Sequence, residues 1–207
     1  MTPETIAREL RGELMAGVLR PGTDLSQVEL AQRFGVSRIP IRDALRILAG
    51  EGLVEIEANR GARAISLTPD EVREIYDLRT LLECDCLRRA AAAMTPAALE
   101  EIERVRLKSD LDAVGAEWAD GDWAFHRTIY QFAGRRRQLV MIEALRRTCL
   151  LFVSAYATMP TKTPRWLGEH DDIVRHLRRG ETEQAVLGLK GHLEGAATHL
   201  LAHMMAS

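Results

Sequence analysis

The chain has 207 residues and a formal net charge of −2, and 46% of its residues are hydrophobic while 28% are charged. This is the composition of an ordinary soluble globular protein with one larger domain or two small ones. No apolar run reaches the ~18 residues of a membrane span, and the start of the chain mixes charged with apolar residues, which excludes a secretory signal. The three cysteines, Cys84, Cys86 and Cys149, are expected to be reduced core thiols of a cytoplasmic protein.

The first part of the chain predicts two amphipathic helices joined by a turn. Residues 2–17 place apolar side chains at helical spacing, and Pro21 and Gly22 predict the turn that follows. The second helix precedes Gly35, a residue that can end a helix in the left-handed conformation. Its apolar side is predicted to consist of Val28, Leu30, Ala31 and Phe34.

A third helix is predicted to begin at Arg38, because Ser37 is a good N-cap and Pro40 is tolerated in a first turn. One edge of this helix is apolar and the next is basic. The apolar edge consists of Ile41, Leu45 and Leu48, and the basic edge of Arg38, Arg42 and Arg46. Such a helix can enter a DNA major groove with its first turn leading. The alternative is an amphipathic helix whose basic edge is only solvated.

The residues after the third helix predict a two-stranded ribbon. Residues 51–57 alternate as a strand does, residues 58–61 suit a hairpin tip, and residues 62–67 can return as the partner strand. Two helices, a turn, a recognition helix and a ribbon make a winged helix-turn-helix. Residues 1–66 contain 9 arginines against 9 acidic residues, so we expect weak non-specific DNA binding that depends on local arginines.

Residues 6–65 resemble the DNA-binding domain of the GntR family of bacterial transcription regulators. The matching pieces are Ile6, Leu10, 17–26, Leu30-Ala31, 36–45, 51–54 and Arg60-Gly61. The resemblance implies that DNA is contacted by Ser37, Arg38, Pro40 and Arg42, with Arg60 and Gly61 at the tip of the wing. Ile39 replaces a hydroxyl residue of many members, and Val28 replaces an arginine of some, so no DNA contact is carried over to either.

The second domain is predicted to be an all-α antiparallel bundle. Thr68, Pro69 and Glu71 form a helix-start signal with a capping box, which divides the chain into domains 1–67 and 68–207. The expected helices are 69–93, 96–118, 121–133, 136–158, 164–179 and 182–204. The predicted fold is therefore mostly α, with a winged helix-turn-helix followed by about six helices.

Several ionisable residues of the second domain fall on the apolar faces of their helices. They are Asp122 and His126 on the third helix, His170 on the fifth, and His192, His199 and His203 on the last. Three imidazoles and a carboxylate suit zinc, nickel or manganese. An inward histidine is also a common hydrogen-bonded core residue, so the pattern alone leaves both interpretations open.

The chain after residue 70 resembles the FCD ligand-binding domain of FadR-type GntR regulators, and six helices resemble its shorter, VanR-like branch. The matching pieces are 79–83, 122–126, Glu169-His170 with Ile173, and His192-Leu193. The resemblance implies that the metal ligands are Asp122, His126, His170 and His192, with zinc as the first choice. Arg135 departs from the asparagine that is usual there.

Arg79 is predicted to point inward on the apolar face of its helix, where a lone charge is costly. Its partner is either Glu83, four residues later, or an anionic ligand. In the resembled family the corresponding arginine lines the effector cavity, which implies that Arg79 binds a small organic acid.

The sequence therefore predicts a homodimeric repressor that binds a palindromic double-stranded operator under control of a small organic acid. Three alternatives remain: a regulator whose effector is the metal itself, a regulator with a purely structural metal, and a metal-dependent hydrolase. The hydrolase is disfavoured because no general base or nucleophile stands out beside the predicted ligands.

Overall fold

The computed structural model describes residues 1–57, 61–112, 118–150 and 163–206. In these ranges the chain forms nine helices and one three-stranded sheet, which agrees with the predicted fold class. The helices are α1 Pro3–Met15, α2 Gln27–Phe34, α3 Arg38–Gly50, α4 Pro69–Ala93, α5 Pro96–Asp112, α6 Trp118–Gln131, α7 Arg136–Leu150, α8 Thr163–Arg178 and α9 Thr182–Ala206. The strands are β1 Asp24–Ser26, β2 Val54–Glu57 and β3 Gly61–Ala64.

The chain divides into two compact units, which are described separately below. The first comprises residues 1–71 and the end of α7 from Ala144 onward. The second comprises residues 72–143 and the chain from α8 onward. None of the described helices is both long and apolar enough to cross a membrane.

The first unit is built around the apolar faces of α1 and α3. Its fully buried side chains include Ile6, Leu10, Leu14, Ile41, Leu45 and Leu48. Arg11 on α1 reinforces this pairing, because its Nε donates to Glu51 Oε2 at the end of α3 over 2.8 Å. Between α2 and α3 the backbone turns at Gly35, whose φ of 63° is left-handed, as the sequence predicts.

The sheet contains a strand that the sequence analysis missed. β1 pairs antiparallel with β3, and β3 pairs antiparallel with β2, so the strand order is β1-β3-β2. β1 has only three residues, too few to show an alternating pattern. Gly61 is buried opposite Ser26, with a φ of 135°, and a Cβ there would lie 2.3 Å from the carbonyl oxygen of Leu25. The pairing of β1 with β3 therefore requires glycine at position 61.

The prediction for Val28 was wrong. Its side chain is 48% exposed, whereas Leu30 and Ala31 of the same helix are buried. The reason is that residues two apart on a helix point to nearly opposite sides, so Val28 and Leu30 cannot share one face. The face of α2 that is buried is the one that carries Leu30 and Ala31.

Helix α4 begins with the predicted capping box. The backbone N–H of Thr68 donates to Glu71 Oε2 over 2.7 Å, and the backbone N–H of Glu71 donates to Thr68 Oγ1 over 3.2 Å. The six helices α4 to α9 begin within three residues of their predicted starts. Residues 113–117 of the helix predicted over 96–118, and residues 151–158 of the helix predicted over 136–158, lie outside the described residues. Trp118, the predicted end of the first of these helices, is instead the first residue of α6.

The packing of the helices sets the position of the site. α5 packs against α6 and α8, and α8 packs against α9. Phe125 and Ile129 on α6, Ile173 on α8 and Leu189 on α9 are buried apolar residues at helical spacing. The polar residues that share these inner faces are therefore enclosed among helices that contact one another.

Candidate metal centre and nucleic-acid interface

Three helices bring four buried metal-ligating side chains together. Asp122 and His126 stand one turn apart on α6, His170 lies on α8 and His192 on α9. Each residue offers one ligand atom, and these atoms all lie within 4.8 Å of one another. The four side chains are almost excluded from solvent, with residue exposures of 6%, 0%, 1% and 2% in chain order.

The distances between these groups suit coordination of one ion. Asp122 Oδ1 lies 3.6 Å from His126 Nε2 and 3.4 Å from His170 Nε2. Two donors bound at about 2.1 Å to one tetrahedral ion are about 3.4 Å apart. The centroids of the His170 and His192 rings are 4.8 Å apart, so the imidazoles converge on the same space as the carboxylate.

Two of the histidines are held through their Nδ1 atoms. His126 Nδ1 lies 3.3 Å from the hydroxyl of Tyr130, and His192 Nδ1 lies 3.0 Å from Glu169 Oε2. In metal sites such an outer partner fixes the tautomer and leaves the other nitrogen for the ion. Both Nε2 atoms are therefore the candidate ligands.

The carboxylate also has an outer partner. Trp166 on α8 donates its indole N–H to Asp122 Oδ1 over 3.2 Å. An indole N–H can only donate, so this contact holds Asp122 Oδ1 as an acceptor in one orientation. The hydrogen bond therefore orients the carboxylate toward the three histidines.

His170 has no comparable hydrogen bond at Nδ1 among the described residues, although that atom is buried. Burial lowers the pKa of His170, so the imidazole is neutral near pH 7. A neutral ring is the form that binds a metal. A buried carboxylate surrounded by three imidazoles fits a divalent cation better than an ordinary apolar core.

The other histidines stand apart from this cluster. Within the described parts of the chain, the set of mutually close ligand atoms includes neither His199 nor His203. His176 bonds to Glu181 Oε2 over 2.6 Å at the end of α8. Of the six predicted inward residues, the structure thus brings together Asp122, His126, His170 and His192.

Of the two partners that the sequence allowed for Arg79, the structure shows Glu83. Its Nε donates to Glu83 Oε1 over 2.7 Å, and both side chains are buried. The carbon at the centre of its guanidinium lies 4.6 Å from the centroid of the Tyr76 ring, a cation–π contact. Arg79 is therefore part of an internal ion pair, and an acid would have to compete with Glu83.

The sequence analysis missed the outer residues of this centre. Tyr130, Trp166 and Glu169 each bond to a predicted ligand. One signal was readable, because Tyr130 follows His126 by four residues and so lies on the same helical face. The contacts of Trp166 and Glu169 join different helices, which periodicity along one helix does not reveal.

The predicted DNA-contacting residues of α3 lie at its exposed start. Ser37, Arg38 and Arg42 are exposed and Pro40 is half-buried. Ser37 precedes the first turn with extended backbone, yet its side chain makes no cap hydrogen bond. Arg42 makes only a long 3.3 Å contact with Asp43. The helix thus presents polar groups at the end that would lead into a groove.

The wing residues differ from one another. Gly61 is buried in the sheet, where the chain requires it for the approach of β1. Arg60 lies outside the described residues. On the same unit, Arg33 is engaged by Glu13 and Arg63 by Asp24 and Glu57, so several arginines away from α3 are already paired with carboxylates.

The fold and the site define a winged-helix regulator joined to a helical domain that can hold a metal. The model of the bacterial regulatory proteins of the gntR family matches residues 2–63, and the FCD domain model matches residues 74–195. The chain belongs to the GntR family, in the group that carries an FCD domain. The proteins of this family are transcription regulators, which excludes the hydrolase interpretation.

The chain is similar to proteins named as repressors. It is 37% identical over 127 residues to the gluconate operon transcriptional repressor of Bacillus licheniformis, which covers 60% of this chain and 52% of the relative. The chain thus spans about half the length of that curated relative and of its Bacillus subtilis counterpart. It is 29% identical over 197 residues to the HTH-type transcriptional repressor RspR of Escherichia coli, covering 92% of this chain and 85% of the relative.

The solved structure of E. coli McbR/YncC has the same fold. It matches with a TM-score of 0.79 over 98% of both chains at 20% sequence identity. At this identity the likeness concerns the fold alone.

Proposed function

We propose that this protein is a transcriptional repressor whose operator binding is controlled by a small carboxylate bound at a metal centre. The buried set of Asp122, His126, His170 and His192 is the observation that supports the proposal most strongly. Enclosing a carboxylate and three imidazoles is costly without a compensating charge. The names of the repressor relatives support the sign of regulation.

Zinc is the first candidate for the ion, with nickel and manganese next. The donor set is three imidazole nitrogens and one carboxylate oxygen, which suits all three ions. If the coordination number is six, four protein ligands leave two positions for water or for an acid. The acid would then bind the metal directly.

Arg79 is proposed to bind the same acid at a second point, through its guanidinium. Because Arg79 is bound to Glu83 over 2.7 Å, the acid must exchange with Glu83 or share the guanidinium with it. An arginine presents five N–H donors, so sharing is geometrically feasible. Gluconate is a reasonable first ligand to test, since one similar protein is named for a gluconate operon.

The DNA-binding surface is proposed to consist of Ser37, Arg38, Pro40 and Arg42 on α3, with Arg60 and Gly61 at the wing. A cytoplasmic homodimer would present two such helices ~34 Å apart, one turn of DNA, to a palindromic operator. The acid regulates only if it binds one arrangement of the dimer better than another. With six helices after the winged helix in the described part of the chain, the VanR-like branch is the proposed subgroup.

The direct test is a gel shift with zinc-loaded protein on the promoter DNA beside its own gene. Gluconate and a panel of short mono- and dicarboxylates are added in turn. The proposal expects a retarded complex that one acid dissolves. The proposal would be contradicted if the protein shifted none of this DNA, or if no acid changed the amount of shifted DNA.

A second candidate is a regulator whose effector is the metal itself. The Arg79–Glu83 ion pair favours this candidate, because Arg79 is already paired with the buried carboxylate of Glu83 and needs no acid as a counterion. Titrating zinc, nickel and manganese against operator affinity in acid-free buffer separates the two. A metal-driven change of tenfold or more in affinity, which corresponds to ~1.4 kcal/mol, would favour the metal sensor.

A further inference from the structure

A chain of hydrogen bonds links α4 to one of the candidate ligands on α6. Arg79 Nε donates to Glu83 Oε1 over 2.7 Å, and the Tyr130 hydroxyl donates to Glu83 Oε2 over 2.7 Å. The same hydroxyl lies 3.3 Å from His126 Nδ1. Tyr130, Glu83 and His126 are all at most 1% exposed.

The chemistry of the chain fixes the direction of each bond. A phenol has a single proton, and at 2.7 Å from a carboxylate that proton is donated to Glu83. The Tyr130 oxygen therefore offers only lone pairs to His126, so His126 Nδ1 must carry the ring proton. In the neutral ring the other nitrogen, Nε2, then carries no proton, and it lies 3.6 Å from Asp122 Oδ1.

We propose that Glu83 and Tyr130 are positioning residues of the metal centre, which hold His126 in the Nδ1–H tautomer with Nε2 ready to coordinate. The inference rests on the proposed metal centre and extends it to a carboxylate on a different helix, α4. Glu83 acts through Tyr130 and touches no ligand atom directly.

Comparison with His192 supports a specific role for this arrangement. His192 Nδ1 bonds directly to Glu169, a carboxylate whose side chain is 24% exposed. His126 instead reaches its carboxylate through a phenol, in a place with no solvent. A buried carboxylate is costly unless its oxygens are satisfied, and here one oxygen is bound by Arg79 and the other by Tyr130.

The test measures zinc affinity of the full chain, without DNA or any acid, by competition with a chromophoric chelator. Tyr130→Phe removes only the bridging oxygen, and loss of an outer partner typically lowers metal affinity about 10–100-fold. Thr128→Val is the matched control, since it removes a hydroxyl from the same helix that donates to the Ala124 backbone carbonyl and not to a residue of the cluster. It should leave zinc affinity unchanged.

A second variant and a second measurement keep the outcome clear. Glu83→Gln retains the shape of the side chain and weakens the bond to Tyr130, so zinc affinity should fall by about tenfold, at the low end of that range. In metal-free protein, 15N-resolved imidazole spectra should show the Nδ1–H tautomer for His126 and a mixture of tautomers in Tyr130→Phe.

The outcomes separate this inference from the proposed function. Wild-type affinity in both Tyr130→Phe and Glu83→Gln would overturn the positioning role and leave the metal centre standing. Wild-type protein that binds no zinc, nickel or manganese would overturn the centre and this inference with it. If the variants do not fold, the tautomer of His126 in the metal-free wild-type protein decides the matter, because a mixture of tautomers there would overturn the positioning role.

Discussion

The guanidinium of Arg79 donates to the carboxylate of Glu83 over 2.7 Å inside the helical unit, with both side chains nearly excluded from solvent. Removing one member of such a pair leaves the other as an uncompensated buried charge. The pair therefore matters for folding whether or not Arg79 also binds an acid. Stability and ligand response must be measured separately for any variant at this position.

Arg79→Met is expected to lower the free energy of unfolding by roughly 3–5 kcal/mol, the cost typical of breaking a buried ion pair. Adding Glu83→Gln should recover much of this loss, because a neutral amide removes the lone charge and still accepts from Tyr130. Guanidinium unfolding of the single and double variants measures both effects. A single variant as stable as wild type would show that the pair is not a buried ion pair in solution.

The sequence was sufficient to predict what lies along each helix. The helical repeat placed Asp122 and His126 on one face of α6, and all four candidate ligands are buried together in the structure. The caps at Thr68 and Gly35 also formed as predicted. These features depend on spacing within a single element, which a sequence displays directly.

What the sequence could not predict depends on contacts between elements. Three features depend on how elements pack against one another. They are the pairing of Arg79 with Glu83 and not with an acid, the bond of Trp166 to Asp122, and the pairing of β1 with β3. Periodicity identifies the buried face of a helix or strand, but it does not identify the residues against which that face packs. Three-residue β1 in particular exists because β3 offers it an edge, with a glycine that lets the two backbones approach.

Gly61→Ala is expected to destabilise the winged helix by roughly 2–4 kcal/mol, since it combines a strained left-handed φ with a backbone clash. The added Cβ would lie 2.3 Å from the Leu25 carbonyl oxygen. Gly12→Ala is the matched control, because Gly12 lies within α1 with no neighbour within 4 Å of its Cβ position. That change should stabilise by about 0.5–1 kcal/mol. Thermal unfolding of both variants checks the difference, and equal effects would contradict the pairing of β1 with β3.

The thiols of Cys84 and Cys86 are expected to resist alkylation in the native state. Burial raises the pKa of each to about 11 from an ordinary 9.0. The reactive thiolate is thus roughly 100-fold scarcer at pH 8 than in unfolded chain. Alkylation by iodoacetamide should be slow in native Cys149→Ser protein, fast after unfolding in guanidinium, and should accelerate as the pH rises toward 11. Rapid native modification at pH 8 would contradict the burial of these side chains.

His170→Ala is expected to abolish tight zinc binding, because the change removes one of the four proposed ligands of a buried site. Zinc at about 100 times its dissociation constant should stabilise the wild-type protein by about 2.7 kcal/mol, and this gain should vanish in the variant. His176→Ala is the control, since His176 bonds to Glu181 at the end of α8. Metal analysis after dialysis and thermal unfolding with and without zinc provide the two readouts. Equal zinc content in both variants would place the metal elsewhere.

Arg38→Ala with Arg42→Ala is expected to weaken operator binding while leaving the fold intact, because both side chains are exposed on α3. Each lost phosphate contact should reduce the slope of log affinity against log salt by about one, and each lost base contact should cost about 1–3 kcal/mol. The control is Arg88→Ala with Arg89→Ala, two exposed arginines of α4 that pair with Glu183 and Asp85. Fluorescence anisotropy on the operator at several salt concentrations separates the two kinds of contact. Removing arginines that contact a DNA groove must lower the affinity. If the α3 variant nevertheless binds the operator as tightly as the control, another surface of the protein contacts the DNA.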